Sequence, residues 1–207
     1  MKYYKVLDGM NSCHGGVHVW QQGVKTPAKV VKPCESGWHF TDEDNLFHWC
    51  SRFYSIYEIR PAAKAQIIKT PTKYVASSVV LGKKLGTIDN HTSAKVRDKI
   101  FELLNNSLNR YINKPKLTKK NRALLVKLRT LINSKKSDLE KQDGILKLEE
   151  ALFNTLSYTY VNKLFNNFLY YYRSGNDSYY NVFNTGRFAP YKKSLGKVIL
   201  QNLSKGK

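Results

Sequence analysis

Gly82-Lys83-Lys84-Leu85-Gly86-Thr87-Ile88-Asp89-Asn90 is the stretch across which the chain changes character. Before it, β-branched and aromatic residues come in short runs separated by Gly, Pro and Ser, the pattern of strands. After it, apolar residues recur every three or four positions, the pattern of helices. No other stretch reads better as a linker, so the boundary is placed here. The expected fold is α+β: a small strand-rich domain over residues 1–85 with one short helix, then a basic all-helical domain over residues 89–207.

Working back from the boundary, the strand candidates are Lys2 to Leu7, Val17 to Trp20, Lys29 to Lys32, Phe53 to Ile59 and Ala65 to Lys69. Lys73 to Leu81 reads either way. One helix interrupts them, with Thr41 as cap, Asp44 three residues on, and Leu46, Phe47 and Trp49 as its apolar face. Working forward, Thr92 or Ser93 caps a helix carrying Val96, Ile100, Leu103, Leu104, Leu108 and Tyr111. Pro115 ends it. Thr118 caps the next, with Leu124, Leu125, Leu128, Leu131 and Ile132 on one side. Ser137 and Glu140 form a capping box, and Gly144 is expected to break or bend the helix that follows. Ile145 to Tyr172 reads as mostly helical, and a tail with Gly175, Gly186 and Pro190 ends on a short helix near Leu195 to Leu203.

Charge dominates the composition. Thirty-five Lys and Arg against fifteen Asp and Glu leave a net charge of +20, a balance that attracts polyanions. Residues 1–88 hold twelve basic and six acidic residues, and residues 89–207 hold twenty-three and nine. From Glu102 to Asp138 there is no acid between, while Arg110, Lys114, Lys116, Lys119, Lys120, Arg122, Lys127, Arg129, Lys135 and Lys136 all fall inside. These cations are the candidate phosphate contacts. Arg173, Arg187, Lys192 and Lys193 join them from the tail, where Tyr170, Tyr171, Tyr172, Tyr179, Tyr180, Phe188 and Tyr191 supply rings able to stack unpaired bases or pack a helical core. No helix-turn-helix, zinc-finger or RNA-recognition signature appears, so non-specific contact to DNA or RNA is expected.

Every Cys, every Trp and four of the five His lie in the first fifty residues. Cys13, His14, Cys34, His39, His48 and Cys50 offer enough zinc ligands, but their spacings match no paired knuckle, and no metal is expected. The cysteines read as core residues. An odd cysteine count, no apolar leader at Met1-Lys2-Tyr3-Tyr4-Lys5 and no run of membrane-spanning length point to a cytoplasmic protein without membrane contact. Gly15-Gly16 lacks the spacing of a phosphate-binding loop and reads as a turn.

The stretch Pro33-Cys34-Glu35-Ser36-Gly37-Trp38-His39-Phe40-Thr41-Asp42-Glu43-Asp44-Asn45-Leu46-Phe47-His48-Trp49, followed by Tyr57-Glu58-Ile59, resembles an uncharacterised domain family of bacteriophages and bacteria. There a Cys-x-x-Gly-x-His segment leads into a short helix and then a strand with Glu. The resemblance covers roughly residues 3–85 and implies a phage or mobile-element setting, hence host cytoplasm, with no assigned activity. The same stretch is similar, at the level of fold, to ADP-ribosyltransferases of the His-Tyr-Glu type. That similarity implies NAD as cofactor, His39 at the stacking-tyrosine position and His14-Gly15 at the nicotinamide-binding pair. His39 in place of Tyr is a departure, and Glu58 matches a structural position rather than the catalytic one. His39, His14 and Glu58 are therefore the catalytic candidates.

The leading expectation is a phage-type nucleic-acid-associated protein that binds phosphates through its helical half. The alternatives are an enzyme housed in the N-terminal half, transferase-like or nucleic-acid-processing, and a virion protein lying against packaged genome. Without the transferase, no cofactor is expected.

Overall fold

A computed structural model describes residues 1–12, 17–32, 35–153, 158–176 and 186–204. The class is α+β: an antiparallel sheet in the N-terminal half and helices in the C-terminal half. The strands are β1 (Tyr3–Asp8), β2 (Asn11–Ser12), β3 (Trp38–Asp42), β4 (Ser55–Pro61), β5 (Ile67–Lys69), β6 (Tyr74–Ala76) and β7 (Val79–Thr87). They order as β5-β6-β3-β1-β4-β7, with β2 also paired to β1. The central β1, Tyr-Tyr-Lys-Val-Leu-Asp, is buried over four consecutive residues, as befits a strand covered on both faces. Leu7, Trp20, Trp38, Phe40, Tyr57, Ile59, Leu81 and their neighbours form one apolar cluster.

Local structure departs from expectation where a single residue serves a non-local contact. Val17 to Trp20 and Lys29 to Lys32 are not strands. Residues 20–29 instead form an irregular strap interrupted by Gly23 and Pro27, held by separate backbone bonds such as Gly23 N–H to Leu81 O at 2.8 Å and Thr26 N–H to Val79 O at 2.9 Å. The short helix Glu43–Trp49 is 3-10 and is capped by Asp42, not Thr41. The Asp42 carboxylate accepts from the Asn45 N–H at 3.0 Å and from the Tyr74 hydroxyl at 3.0 Å.

The expected linker is not a linker. Gly82 to Thr87 belongs to β7, which pairs with β4 along its length. A Cβ on Gly82 would come within 3.1 Å of the Glu58 Cβ, and one on Gly86, at φ +157°, within 2.6 Å of Ser204 O. Here glycine admits close neighbours rather than a turn.

The helices are α1 (Asn90–Ile112), α2 (Lys119–Ile132), α3 (Asp138–Phe153), α4 (Tyr158–Asn176) and α5 (Lys192–Asn202), with a 3-10 turn at Gly186–Tyr191. Asp89, rather than Thr92 or Ser93, caps α1 through the Thr92 N–H at 2.7 Å. Thr118 caps α2 and the Ser137–Glu140 box closes α3, as the sequence predicts. Gly144 lies inside α3, where the Leu131 side chain of α2 occupies the space a Cβ would need.

Two compact units result: Met1–Val96 with Phe183–Lys207, and Arg97–Val182. The division thus differs from the expected 1–85 and 89–207. α5 packs on the 3-10 helix with Gly196 directly against the Glu43 carbonyl oxygen, and Thr87 and Ser204 exchange backbone bonds at 3.0 and 3.1 Å. The second unit buries Leu104, Leu108, Leu125, Leu128, Ile145, Phe165 and Phe168. No helix among the described residues is long and apolar enough to cross a membrane.

Candidate functional site

The sheet unit carries a slot. Along one side of β1, β3 pairs only at Tyr3↔Asp42 and Tyr4↔Thr41, and β2 only at Leu7↔Ser12 and Asp8↔Asn11. On that side Lys5 and Val6 have no strand partner among the described residues, although β4 pairs with both on the other side. The Lys5 ammonium reaches into the gap and donates to the His39 carbonyl at 2.9 Å. A cavity of about 430 Å³ opens there, lined from β1, β2 and β3, from the strap, and from Trp49 and Lys73.

All three tryptophans of the sequence line this cavity. Each indole N–H is held by an acceptor: Trp20 by the Ser12 hydroxyl at 3.0 Å, Trp38 by Pro27 O at 2.8 Å and Trp49 by Thr72 O at 3.0 Å. Each ring has an ammonium over it. Lys5 lies 4.6 Å from the Trp20 centroid, Lys29 4.1 Å from Trp38 and Lys73 5.5 Å from Trp49. Attraction to the ring face holds such cations in place without a carboxylate. His18 packs edge-on against Trp20 and Trp38 at 5.2 and 4.6 Å.

His39 stands in β3 opposite Val75 and lines the cavity. Burial, with the charges of Lys73, Lys5 and Lys29 behind it, pulls its imidazole down to about 4. It is therefore neutral near pH 7, and its Nε2 is buried without a hydrogen-bond partner. His18 is lowered too, by burial and then by Lys29 and Lys5. One acid is among the described lining residues: Glu35, exposed and ion-paired to Lys32 at 3.6 Å. The slot holds an excess of positive charge over aromatic walls.

Of the three catalytic candidates, His39 and Glu58 are not brought together. His14 lies outside the described residues, as do Cys13 and Cys34. Glu58 is on β4, opposite Tyr4, and pairs with Lys83 at 3.8 Å. Two strand spacings and two residues of offset separate it from His39, about 12 Å, too far to exchange a proton. His48 sits in the 3-10 helix, lowered by burial and then by Lys192. Cys50 is buried. No group of three or more metal-binding side chains converges among the described residues.

The basic candidates divide. Arg110, Lys114, Lys116, Lys119, Lys120, Lys127, Arg129, Lys135 and Lys136 are exposed in the helical unit, and Arg122 is partly so. Three of them, Lys119, Lys120 and Arg122, stand in the first turn and a quarter of α2, which holds no acid. Lys192 and Lys193 belong instead to the sheet unit, where they meet Asn45 Oδ1 at 2.6 Å and Asp44 Oδ2 at 3.5 Å. The side chains of Arg173 and Arg187 lie outside the described residues, as do those of Tyr179 and Tyr180. Tyr172 is core, its hydroxyl donating to Ile132 O at 3.0 Å and its ionisation pushed up by burial.

Lys5, Lys29 and Lys73 were missed as site residues by sequence reasoning. Their signal was the confinement of every tryptophan to the first fifty residues. No family model matches the chain, and no curated protein or solved structure matches it either.

Proposed function

We propose that this protein binds DNA or RNA through phosphate contacts made by the cations of its helical unit. One observation carries the reading. The N-terminus of an α-helix is the positive end of its dipole, where Lys and Arg are unfavourable and Asp and Glu favourable. Within one unit, α3 obeys this rule, with Asp138 and Glu140 in its first turn, whereas α2 opposes it with Lys119 and Lys120. Cations held against a helix dipole cost stability, and an anionic partner offsets that cost by meeting the dipole, the free N–H groups and the ammonium groups together. Lys114 and Lys116 lead into the same end of α2, and no Asp or Glu interrupts the sequence until Asp138.

The test is a double charge reversal, Lys119→Glu with Lys120→Glu. Each replacement should raise or maintain helix stability, by about 0.3–1 kcal/mol from the dipole. Affinity for a single-stranded or duplex oligonucleotide should nevertheless fall for all sequences alike, and the slope of log K against log salt should shrink by about one for each phosphate no longer neutralised. A variant that binds as tightly as the parent, with the same salt slope, refutes the proposal.

A further inference from the structure

Independently of the helical surface, we propose that the slot between β2 and β3 is a binding site for a nucleoside phosphate, its phosphate among the ammonium groups of Lys5, Lys29 and Lys73 and its base against the tryptophan walls.

The volume comes first. About 430 Å³ falls within the range of about 300–1,000 Å³ typical of small-molecule sites and excludes a duplex. Charge comes second. Three ammonium groups line the cavity, and their combined field bears on His39. The described acid, Glu35, is at 3.6 Å from Lys32, a residue that does not line the cavity. An anion is the complement to such a site. The walls come third. A bare inorganic anion would satisfy the lysines and leave the aromatic lining, where Trp49 and His18 are partly exposed, without a partner, whereas a planar heterocycle stacks on aromatic faces whatever its sequence identity. Last is His39. Its Nε2 is buried and unpartnered, and a neutral imidazole nitrogen is either one donor or one acceptor. A base edge supplies either complement, and a phosphate oxygen accepts from the nitrogen that carries the proton.

Two sources offer this chemistry: a free nucleotide, and the terminal nucleotide of a strand carrying a 5′-phosphate. Intrinsic tryptophan fluorescence of the full chain distinguishes them, because every tryptophan lines this cavity and the signal has no other origin. Adenosine 5′-monophosphate should change that fluorescence saturably. Adenosine and inorganic phosphate should each bind at least about tenfold more weakly, since each satisfies only one of the two wall types. Lys73→Gln should weaken the nucleotide at least about tenfold, the scale of one charge-assisted hydrogen bond, while Lys95→Gln, exposed on α1 and away from the cavity, should not. His39→Gln, a second variant of similar size, should weaken it as well. A 5′-phosphorylated oligonucleotide that displaces the mononucleotide and binds more tightly identifies a strand end as the source; one that fails to displace it identifies the free nucleotide. If adenosine 5′-monophosphate and the oligonucleotide both leave the fluorescence unchanged at millimolar concentration, the proposal is overturned. It is overturned equally if adenosine or inorganic phosphate matches the nucleotide, or if Lys73→Gln and His39→Gln, with near-ultraviolet circular dichroism intact, bind like the parent.

Discussion

Lowering the pH from 7.5 to 4.5 should destabilise the sheet unit, and His39 should account for a measurable share. An ordinary imidazole takes up its proton near 6.5, whereas burial and then Lys73, Lys5 and Lys29 hold that of His39 near 4. Between those values the unfolded chain binds a proton that the folded chain refuses. The stability contributed by the neutral ring is therefore complete above pH 6.5 and drains away as pH falls toward 4. At 1.36 kcal/mol per pH unit the gap corresponds to about 3 kcal/mol, and solvent screening of a half-buried ring reduces it to about 1–2 kcal/mol. For a unit of this size that is a drop in Tm of about 5–10 °C. His18 and His48 are lowered as well and steepen the same limb. Thermal melts of the parent and of His39→Gln at half-unit steps of pH measure the effect: the variant should lose part of the slope. Imidazole proton resonances should place the His39 titration well below 6. A His39 that titrates at 6.5 or above would mean that neither burial nor the three ammonium groups act on its ring as described, and would refute this reasoning.

Gly196→Ala should destabilise the protein even though alanine is the better helix former by about 1 kcal/mol. Its Cβ meets the Glu43 carbonyl oxygen, so α5 must lift off the 3-10 helix and loosen Leu195 and Ile199, at an overpacking cost of about 1–3 kcal/mol; a rise in Tm would refute the docking of α5. A fragment ending at Lys84 should fail to fold, because it cuts β7 after its sixth residue and removes α5. A cooperative melt of that fragment would restore the boundary expected from sequence.

How much was legible follows from the range over which each residue acts. The caps at Thr118 and Ser137 were readable because cap and capped N–H are three residues apart. The helical faces were readable because periodicity is local: Leu125, Leu128 and Ile132 are buried as their spacing predicts. Gly82, Gly86 and Gly144 were misread for the opposite reason. Each lacks a Cβ because a distant residue takes its place, Glu58, Ser204 and Leu131 respectively. Glycine in sequence announces that something is unusual about the backbone, but it does not distinguish a bend from a close neighbour. The Gly82–Asn90 boundary failed on that ambiguity, and with it the assignment of the C-terminal helix to the helical half.

The slot shows the same limit at a site. Its cations, Lys5, Lys29 and Lys73, lie in a strand, a strap and a turn, and nothing in their spacing marks them among the thirty-five basic residues of the chain. They become neighbours only because β1 pairs with β3 for two residues and then lets it go, a property of register that depends on where the apolar faces settle. The exposed cations of α2 are the converse, consecutive in sequence and consecutive in space. A run of surface charge is therefore the easier feature to find and the weaker one to interpret, since a solvated face has the same look. A lysine buried at 7% exposure, like Lys5, carries more meaning. Removing an ammonium group from water is costly, and the chain does it beside two more lysines and three indoles. That placement sets the slot apart from the exposed cations of α2, whose side chains stand in water.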